Sequence, residues 1–108
     1  MTVAQMTQAL GLTVFYVPET EREVVGGYAG DLLSWVMGSA QPGEAWLTIM
    51  SNQNVAAVAA LSDVACVILT EGVQPDPELL KKAEMQGINL LGTEKSSFQI
   101  AVELGKTL

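Results

Sequence analysis

The chain of 108 residues is long enough for one domain with a single hydrophobic core. It carries 12 acidic and 5 basic residues, and its net charge of -7 argues against nucleic acid or an anionic membrane as a partner. It has no His and one Cys, which excludes an internal disulfide, a thiolate zinc cluster and a Cys-His nucleophile pair. Because most templates for catalysis are excluded, we expect no catalytic residue, no cofactor and no metal site.

Apolar residues make up 49% of the sequence and charged residues only 16%, so part of the apolar surplus is expected to form an interface. The longest apolar stretch, residues 55–69, is interrupted by Ser62 and Asp63 and is too short for the ~20 residues that a membrane helix needs. Residues 1–10 contain no basic residue and no signal-peptide core. We therefore predict a cytoplasmic protein in which Cys66 is a free, buried and unreactive thiol.

The amino-terminal third of the chain is predicted to contain two helices and two strands. Its first elements are a helix at 2–10, a strand at 12–17, a charged turn at 19–23 and a strand at 24–28. Asp31 is then predicted to cap a helix at 32–39. The apolar residues spaced for burial in this helix are Leu32, Leu33, Val36 and Met37. Gly26, Gly27 and Gly30 lack the spacing of a dinucleotide-binding loop, so we expect sharp backbone turns there between strand and helix.

From residue 30 onward, apolar runs alternate with helical patterns in the rhythm of parallel crossover units. Strands are predicted at 46–50, 65–70 and 88–91, and each leads into a helix. We therefore predict an α/β fold, in which residues 1–108 form a single domain with a mainly parallel central sheet flanked by helices.

The helix predicted at 54–61 differs from the others because it has no charge on any face. That pattern predicts burial on all sides, either within the domain or against a second subunit. The next helix, at 76–86, has Asp76 as its cap, Pro77 in its first turn and Gly87 as its stop.

The last predicted helix starts at a capping box formed by Ser96 and Gln99 and is expected to end near Gly105. Its sheet-facing residues are predicted to be Phe98, Ile100, Ala101 and Leu104. The Gly-Lys-Thr sequence at 105–107 lacks the upstream glycine of a phosphate-binding loop, so it is interpreted as the end of this helix.

Polar residues follow each of the three predicted parallel strands. Because the carboxyl ends of parallel strands meet at one edge of a sheet, these residues are expected to converge on the usual ligand crevice. The candidate ligand-binding residues are Ser51, Asn52, Gln53, Asn54, Thr70, Glu71, Gly72, Thr93, Lys95 and Ser96. Helix N-termini at Asn54 and Ser96 could hold a phosphate or carboxylate, with Lys95 as the only nearby cation. The alternative is that Asn54 and Ser96 only cap their helices.

Three carboxylates, Asp31, Glu71 and Glu94, could in principle hold a divalent metal or share acid–base work. A hard-cation site needs several oxygen ligands at controlled spacing, and the sequence shows no such spacing. A metal-dependent enzyme is therefore the least favoured function.

Four segments between residues 25 and 104 resemble a known family. They are Val25-Gly26-Gly27 with Asp31-Leu32-Leu33, residues 47–57, residues 67–72 with Pro75-Asp76, and residues 93–98. The chain resembles the DRTGG domain family, which is similar to the N-terminal domain of bacterial HPr kinase/phosphorylase. That family also occurs beside CBS modules in some pyrophosphatases and in phosphotransacetylases. The resemblance implies the α/β fold of that N-terminal domain.

The family name records an Asp-Arg pair after one strand and Thr-Gly-Gly after the next. In this sequence those places are Asn52-Gln53 and Thr70-Glu71-Gly72, so only Thr70 and Gly72 match. The change at 52–53 removes a guanidinium that could grip an anion, and Glu71 adds negative charge to the same edge. Both changes disfavour binding of an anionic ligand.

The resemblance implies a regulatory, ligand-sensing or assembly module, because the domain it matches does not carry the phosphate-binding loop of the kinase. Some free-standing members of this length are encoded near iron-hydrogenase and redox-enzyme components, which implies a protein partner in a redox or hydrogenase-linked system. Our leading hypothesis is a non-catalytic regulatory or assembly module of a metabolic or redox system that self-associates, as a dimer. The alternative is a small-molecule sensor that binds a nucleotide-like ligand at the carboxyl edge of the sheet.

Overall fold

The computed structural model describes residues 1–108 as five strands and five helices. In chain order they are α1 (Val3–Leu10), β1 (Thr13–Tyr16), β2 (Gly26–Ala29), α2 (Leu33–Ser39), β3 (Glu44–Thr48), α3 (Asn54–Ser62), β4 (Cys66–Leu69), α4 (Pro77–Gln86), β5 (Leu90–Gly92) and α5 (Ser97–Thr107). The strands form one sheet in the order β1-β5-β4-β3-β2. β1 is antiparallel to β5, and all other neighbouring pairs are parallel, so the predicted α/β fold with a mainly parallel sheet is confirmed. None of the helices has the length and apolar character needed to span a membrane.

The central strands β3 and β4 are buried on both faces, as their continuous apolar sequence predicts. Alternate side chains point to opposite sides of the sheet, so Trp46 and Val67 enter one core while Leu47 and Ile68 enter the other. α2, α3 and α4 cover the first core, and α1 and α5 cover the second. The sheet therefore lies between two helical layers.

Local signals placed three helix ends correctly. Ser96 Oγ accepts a hydrogen bond from Gln99 N at 3.1 Å, and Gln99 Oε1 accepts one from Ser96 N at 3.2 Å. These two bonds form the predicted capping box at the start of α5. α4 begins at Pro77 and is followed by Gly87 in the left-handed conformation, with φ of 68°, again as predicted.

The buried face of α5 was predicted incorrectly in part. Of the four residues predicted to face the sheet, Ile100 and Leu104 are buried, whereas Ala101 is exposed and Phe98 is 78% exposed. Successive helical residues lie about 100° apart, so a sheet-facing side set by Ile100 and Leu104 leaves Phe98 on the far side of the helix. Gly105 remains helical and does not end α5, which continues to Thr107.

α3 and α2 also expose apolar residues that were predicted to be buried. Leu61 is 74% exposed, because α3 packs against α2 and α4 and leaves one side open, so the domain alone does not bury 54–61 on all sides. Burial of that side by a second subunit stays a prediction. In α2, Val36 is fully buried whereas Leu32 and Met37 are exposed. This helix of seven residues packs mainly on α3, so it buries only one narrow stripe.

The glycines near β2 serve packing and do not form the predicted sharp turns. Gly26 and Gly27 lie within the strand, and none of the three glycines at 26, 27 and 30 has a left-handed backbone. A Cβ placed on Gly27 would lie 3.0 Å from Leu104 Cδ2. The missing side chain therefore lets α5 pack closely on the outer strand of the sheet.

The connection between β1 and β2 crosses the full width of the sheet, because these consecutive strands lie at its opposite edges. The buried Asn89 holds this connection: its Oδ1 accepts from Glu19 N at 2.9 Å, and its Nδ2 donates to Glu19 O and Ala65 O. Arg22 donates to Asp63 Oδ1 and to Asp63 O at 3.1 and 2.8 Å. The connection is therefore fixed to the sheet and to the end of α3.

Candidate functional site

The carboxyl ends of β3, β4 and β5 lie side by side, because Thr48 is in register with Leu69 and Leu69 with Gly92. The loops that follow these strands, together with the starts of α3 and α5, form one edge that we call the carboxyl edge. The ten candidate ligand-binding residues occupy 51–54, 70–72 and 93–96, so the topology brings all three segments to this edge.

Asp31 binds the end of β3 and does not cap α2. Its Oδ1 accepts a hydrogen bond from Thr48 Oγ1 at 2.8 Å and another from Ile49 N at 2.9 Å. α2 begins at Leu33, and its N-cap residue Leu32 makes no side-chain cap bond. The predicted capping role of Asp31 is wrong because a buried hydroxyl and an adjacent amide occupy its carboxylate. Sequence reasoning missed Thr48, although it is the one polar residue in the predicted strand at 46–50.

The loop after β3 is held by its own polar side chains. Ser51 Oγ donates to Asp76 Oδ1 at 3.1 Å, and Asp76 N donates to Ser51 O at 3.0 Å. Asn52 Oδ1 accepts from Asn54 N at 2.9 Å, so Asn52 and not Asn54 satisfies the first amide of α3. Gln53 occupies the N-cap position without a side-chain cap bond. Asp76 likewise precedes α4 without capping it, because its carboxylate binds Ser51.

The loops after β4 and β5 are joined directly to each other. Thr70 Oγ1 and Ser97 Oγ share a hydrogen bond of 2.7 Å, Glu71 N donates to Lys95 O at 2.9 Å, and Gly72 N donates to Thr93 O at 2.9 Å. Ser97 was not among the predicted residues, although it adjoins the predicted Ser96. The backbone amides of Glu71 and Gly72 are thus used within the chain and are not free for a bound anion.

Glu71 and Gly72 are consecutive residues in the left-handed region, with φ of 60° and 73°. Glycine is favoured at position 72 because it adopts this region without strain, whereas a Cβ there would be strained and would also displace the exposed carboxylate of Glu94. Glu71 adopts the same region with a side chain, which disfavours that conformation. The turn that joins β4 to the carboxyl edge is therefore strained at one residue.

Positive charge at the carboxyl edge differs from the prediction. Lys95 Nζ donates to both carboxylate oxygens of Glu103, at 2.7 and 2.8 Å, so the cation predicted to attract an anion is already paired. Two cations that sequence reasoning missed, Lys81 and Lys82, make no ion pair. With Gln53 and Glu78 they line a groove of about 380 Å³ beside α4. Their spacing from Glu78 along one helix face was the signal that could have identified them.

The three carboxylates considered for metal binding do not assemble. Asp31 binds Thr48 and Ile49, whereas Glu94 lies against Gly72. No group of three or more Asp, Glu or Cys side chains is arranged to hold a metal ion.

Cys66 is a free and fully buried thiol in β4, as predicted. Burial raises its pKa to about 12, while the charge of Arg22 lowers it by a smaller amount. Because the thiolate is the reactive form, burial and the raised pKa both disfavour reaction of this side chain in the folded protein.

A second groove, of about 270 Å³, lies away from the carboxyl edge between β2 and α5. Its lining is uncharged and consists of Gly27, Tyr28, Ala29, Leu47, Ala101, Leu104, Gly105 and Leu108. No part of the predicted site reaches this groove.

Comparison with known proteins gives a matching family and a structural neighbour. The family model described as the DRTGG domain matches residues 35–107. No curated protein matches the sequence.

The structural neighbour is the crystal structure of the CBS and DRTGG domains of the regulatory region of Clostridium perfringens pyrophosphatase, complexed with the activator diadenosine tetraphosphate. It superposes with a TM-score of 0.75 at 15% sequence identity, over 99% of this chain. This chain spans 47% of that protein's resolved chain, so the similarity concerns the fold of one part of it.

Proposed function

Because the chain belongs to the DRTGG domain family, we propose that it is a non-catalytic regulatory or assembly module of a cytoplasmic metabolic or redox system. We further propose that it self-associates, as a dimer, and that it acts through protein surfaces more than through chemistry at the carboxyl edge. A redox or hydrogenase-linked enzyme is the class of protein partner that we propose.

The observation that carries this proposal is the internal bonding of the carboxyl edge. Lys95 is paired with Glu103, and the amides of Glu71 and Gly72 donate to the neighbouring loop. A ligand at this edge would have to break these contacts before it gained its own, which disfavours strong binding. An edge bonded in this way supports a scaffold role.

Exposed apolar side chains support self-association. Trp35 is 67% exposed, and Leu61 and Phe98 are exposed to 74% and 78%, each on a different helix. Large apolar side chains left in water favour association with another protein surface. Burial of these side chains between copies of the chain would therefore favour oligomers.

Sedimentation velocity tests the self-association. We expect the weight-average mass to rise reversibly toward twice the monomer mass as concentration increases from about 1 µM to about 500 µM. The melting temperature should rise over the same range, because association stabilises only the folded state. A monomer mass at every concentration would remove self-association from the proposal.

A small-molecule sensor is the second candidate, with a nucleotide-like ligand at Ser51–Asn54, 70–72 and 93–96. The unpaired Lys81 and Lys82 beside Gln53 favour it, because they place two cations next to the carboxyl edge. The activator in the neighbouring regulatory region suggests diadenosine tetraphosphate as the first probe.

Thermal denaturation with diadenosine tetraphosphate, ATP and AMP tests the sensor. A ligand present at 100 times its Kd should stabilise the protein by about 2.7 kcal/mol. The Lys81→Gln/Lys82→Gln variant should lose this stabilisation, whereas Lys106→Gln, which removes an unpaired cation at the end of α5, should keep it. Unchanged melting with all three nucleotides would count against a nucleotide sensor.

A further inference from the structure

The outer face of α5 is an apolar stripe that no other part of the chain covers. Its members are Phe98, Ala101, Val102, Gly105 and Leu108, and all five are exposed. Their spacing of three or four residues places them on one side of the helix. We call this surface the α5 stripe. It borders the 270 Å³ groove and the outer strand β2, which has no strand partner on its far side.

Gly105 has no evident role within its own chain. It lies inside a helix, where glycine is less favourable than alanine, and a Cβ on it would meet no atom within 4 Å. The space above Gly105 is therefore open to a side chain from another molecule.

Charge determines which surface of this protein a second copy can approach. Each copy carries a net charge of -7, so most pairs of surfaces repel. The α5 stripe and all the residues that line the groove are uncharged. Two copies that meet there bury no charged side chain of these surfaces and therefore avoid the desolvation cost that such burial carries.

The arrangement of the stripe is self-complementary. Its largest side chain, Phe98, and its smallest residue, Gly105, are equally distant from the midpoint between Ala101 and Val102. Each lies 3.5 residues, or about 5 Å of helical rise, from that point. A two-fold axis through the midpoint places each large residue opposite a small one in antiparallel helices.

We propose, on the basis of the self-association already proposed, that a second copy of this chain docks on the α5 stripe. The two α5 helices pack antiparallel, and Phe98 of each copy fills the space above the partner subunit's Gly105.

The area of this contact sets the expected strength. Phe98, Val102 and Leu108 are 78%, 40% and 48% exposed, which amounts to roughly 300 Å² per copy. Two copies bury about 600 Å² through these side chains, with the groove and the edge of β2 adding to the total. Since stable interfaces bury about 1,200–2,000 Å² in all, the dimer should be weak and reversible.

Sedimentation equilibrium of matched variants tests the surface. Phe98→Glu and Gly105→Lys should each weaken dimerisation at least tenfold, because each places a charge in the apolar contact. Leu61→Glu is the control, since Leu61 is equally exposed but lies in the opposite helical layer. It should leave the dimer constant within twofold. At a concentration where the protein is monomeric, Gly105→Ala should raise the melting temperature, and yet it should weaken dimerisation in sedimentation, which separates docking from folding.

Mixing the two charged variants tests the antiparallel pairing. In the mixed dimer, one Phe98–Gly105 contact carries opposite charges and the other is unchanged, so association should recover to within about threefold of the original protein. Failure to recover, with both variants folded by circular dichroism, would overturn the pairing. Dissociation by Leu61→Glu and not by Phe98→Glu would overturn the surface while leaving self-association intact. If the original protein is strictly monomeric, both the α5 surface and the self-association are refuted.

Discussion

The left-handed conformation of Glu71 allows a stability prediction with a defined sign. A residue with a side chain costs about 1–2 kcal/mol more in this region than glycine does. Glycine in turn lowers the free energy of unfolding by about 0.5–1 kcal/mol, because it has more conformational freedom in the unfolded chain. The Glu71 side chain makes no hydrogen bond, and the Glu71 N–H bond to Lys95 O survives substitution by glycine. We therefore expect Glu71→Gly to stabilise the protein by about 0.5–1 kcal/mol.

Urea unfolding followed by tryptophan fluorescence measures this change, because Trp46 is fully buried and reports on the core. Glu71→Ala is the matched control: it removes the same charge but keeps a Cβ, and it should stay within about 0.5 kcal/mol of the original protein. Gly72→Ala should destabilise by about 1–3 kcal/mol, because a residue with a side chain is strained at a φ of 73°. If Glu71→Gly is no more stable than Glu71→Ala, backbone strain at this turn is not the cause.

Three further predictions concern the cores and the carboxyl edge. Asp31→Ala should lower the free energy of unfolding in urea by about 1–3 kcal/mol, because the buried Thr48 hydroxyl loses its acceptor. In the double variant with Thr48→Val, the two losses should be less than additive. Fully additive losses would contradict a direct bond between the two side chains. Cys66 should not react with a thiol reagent in the native protein at pH 8, because burial raises its pKa to about 12. It should react fully in denaturant. Labelling of the native protein at the rate of a free thiol would contradict the burial of Cys66. Ile100→Ala should lower the free energy of unfolding by about 2–5 kcal/mol, because Ile100 is fully buried. Phe98→Ala on the same helix should lower it by less than about 1 kcal/mol at a concentration where the protein is monomeric. Equal losses would show that Phe98 packs within its own chain.

The sequence correctly predicted the features that depend on residues close together in the chain. The capping box at Ser96, the glycine stop at Gly87 and the apolar runs of β3 and β4 all depend on contacts within a few residues. The parallel order of the later strands followed from the strand-helix rhythm, and this order brings the candidate site residues to one edge.

The failures concern partners that are distant in sequence. Asp31 has the residue type of a helix cap, but its carboxylate is taken by Thr48, 17 residues away. Lys95 was expected to be free, and Glu103 was not considered as its partner. Exposure of Phe98 was missed for a different reason, because the spacing of 100° per helical residue already places it on the far side from Ile100 and Leu104. Residue type alone does not specify which competing contact forms.

The placement of β1 and β2 at opposite edges of the sheet affects the order in which the protein can form during synthesis. β1 pairs only with β5, so Thr13–Tyr16 cannot join the sheet until residues 90–92 have left the ribosome. α1 packs on α5 and waits longer still. β1 and the side of α1 that faces α5 therefore find these partners late, although they precede the other strands in sequence, while β2, β3 and β4 can pair ahead of them. A nascent chain stalled before residue 90 should leave α1 open to protease and the parallel strands already protected.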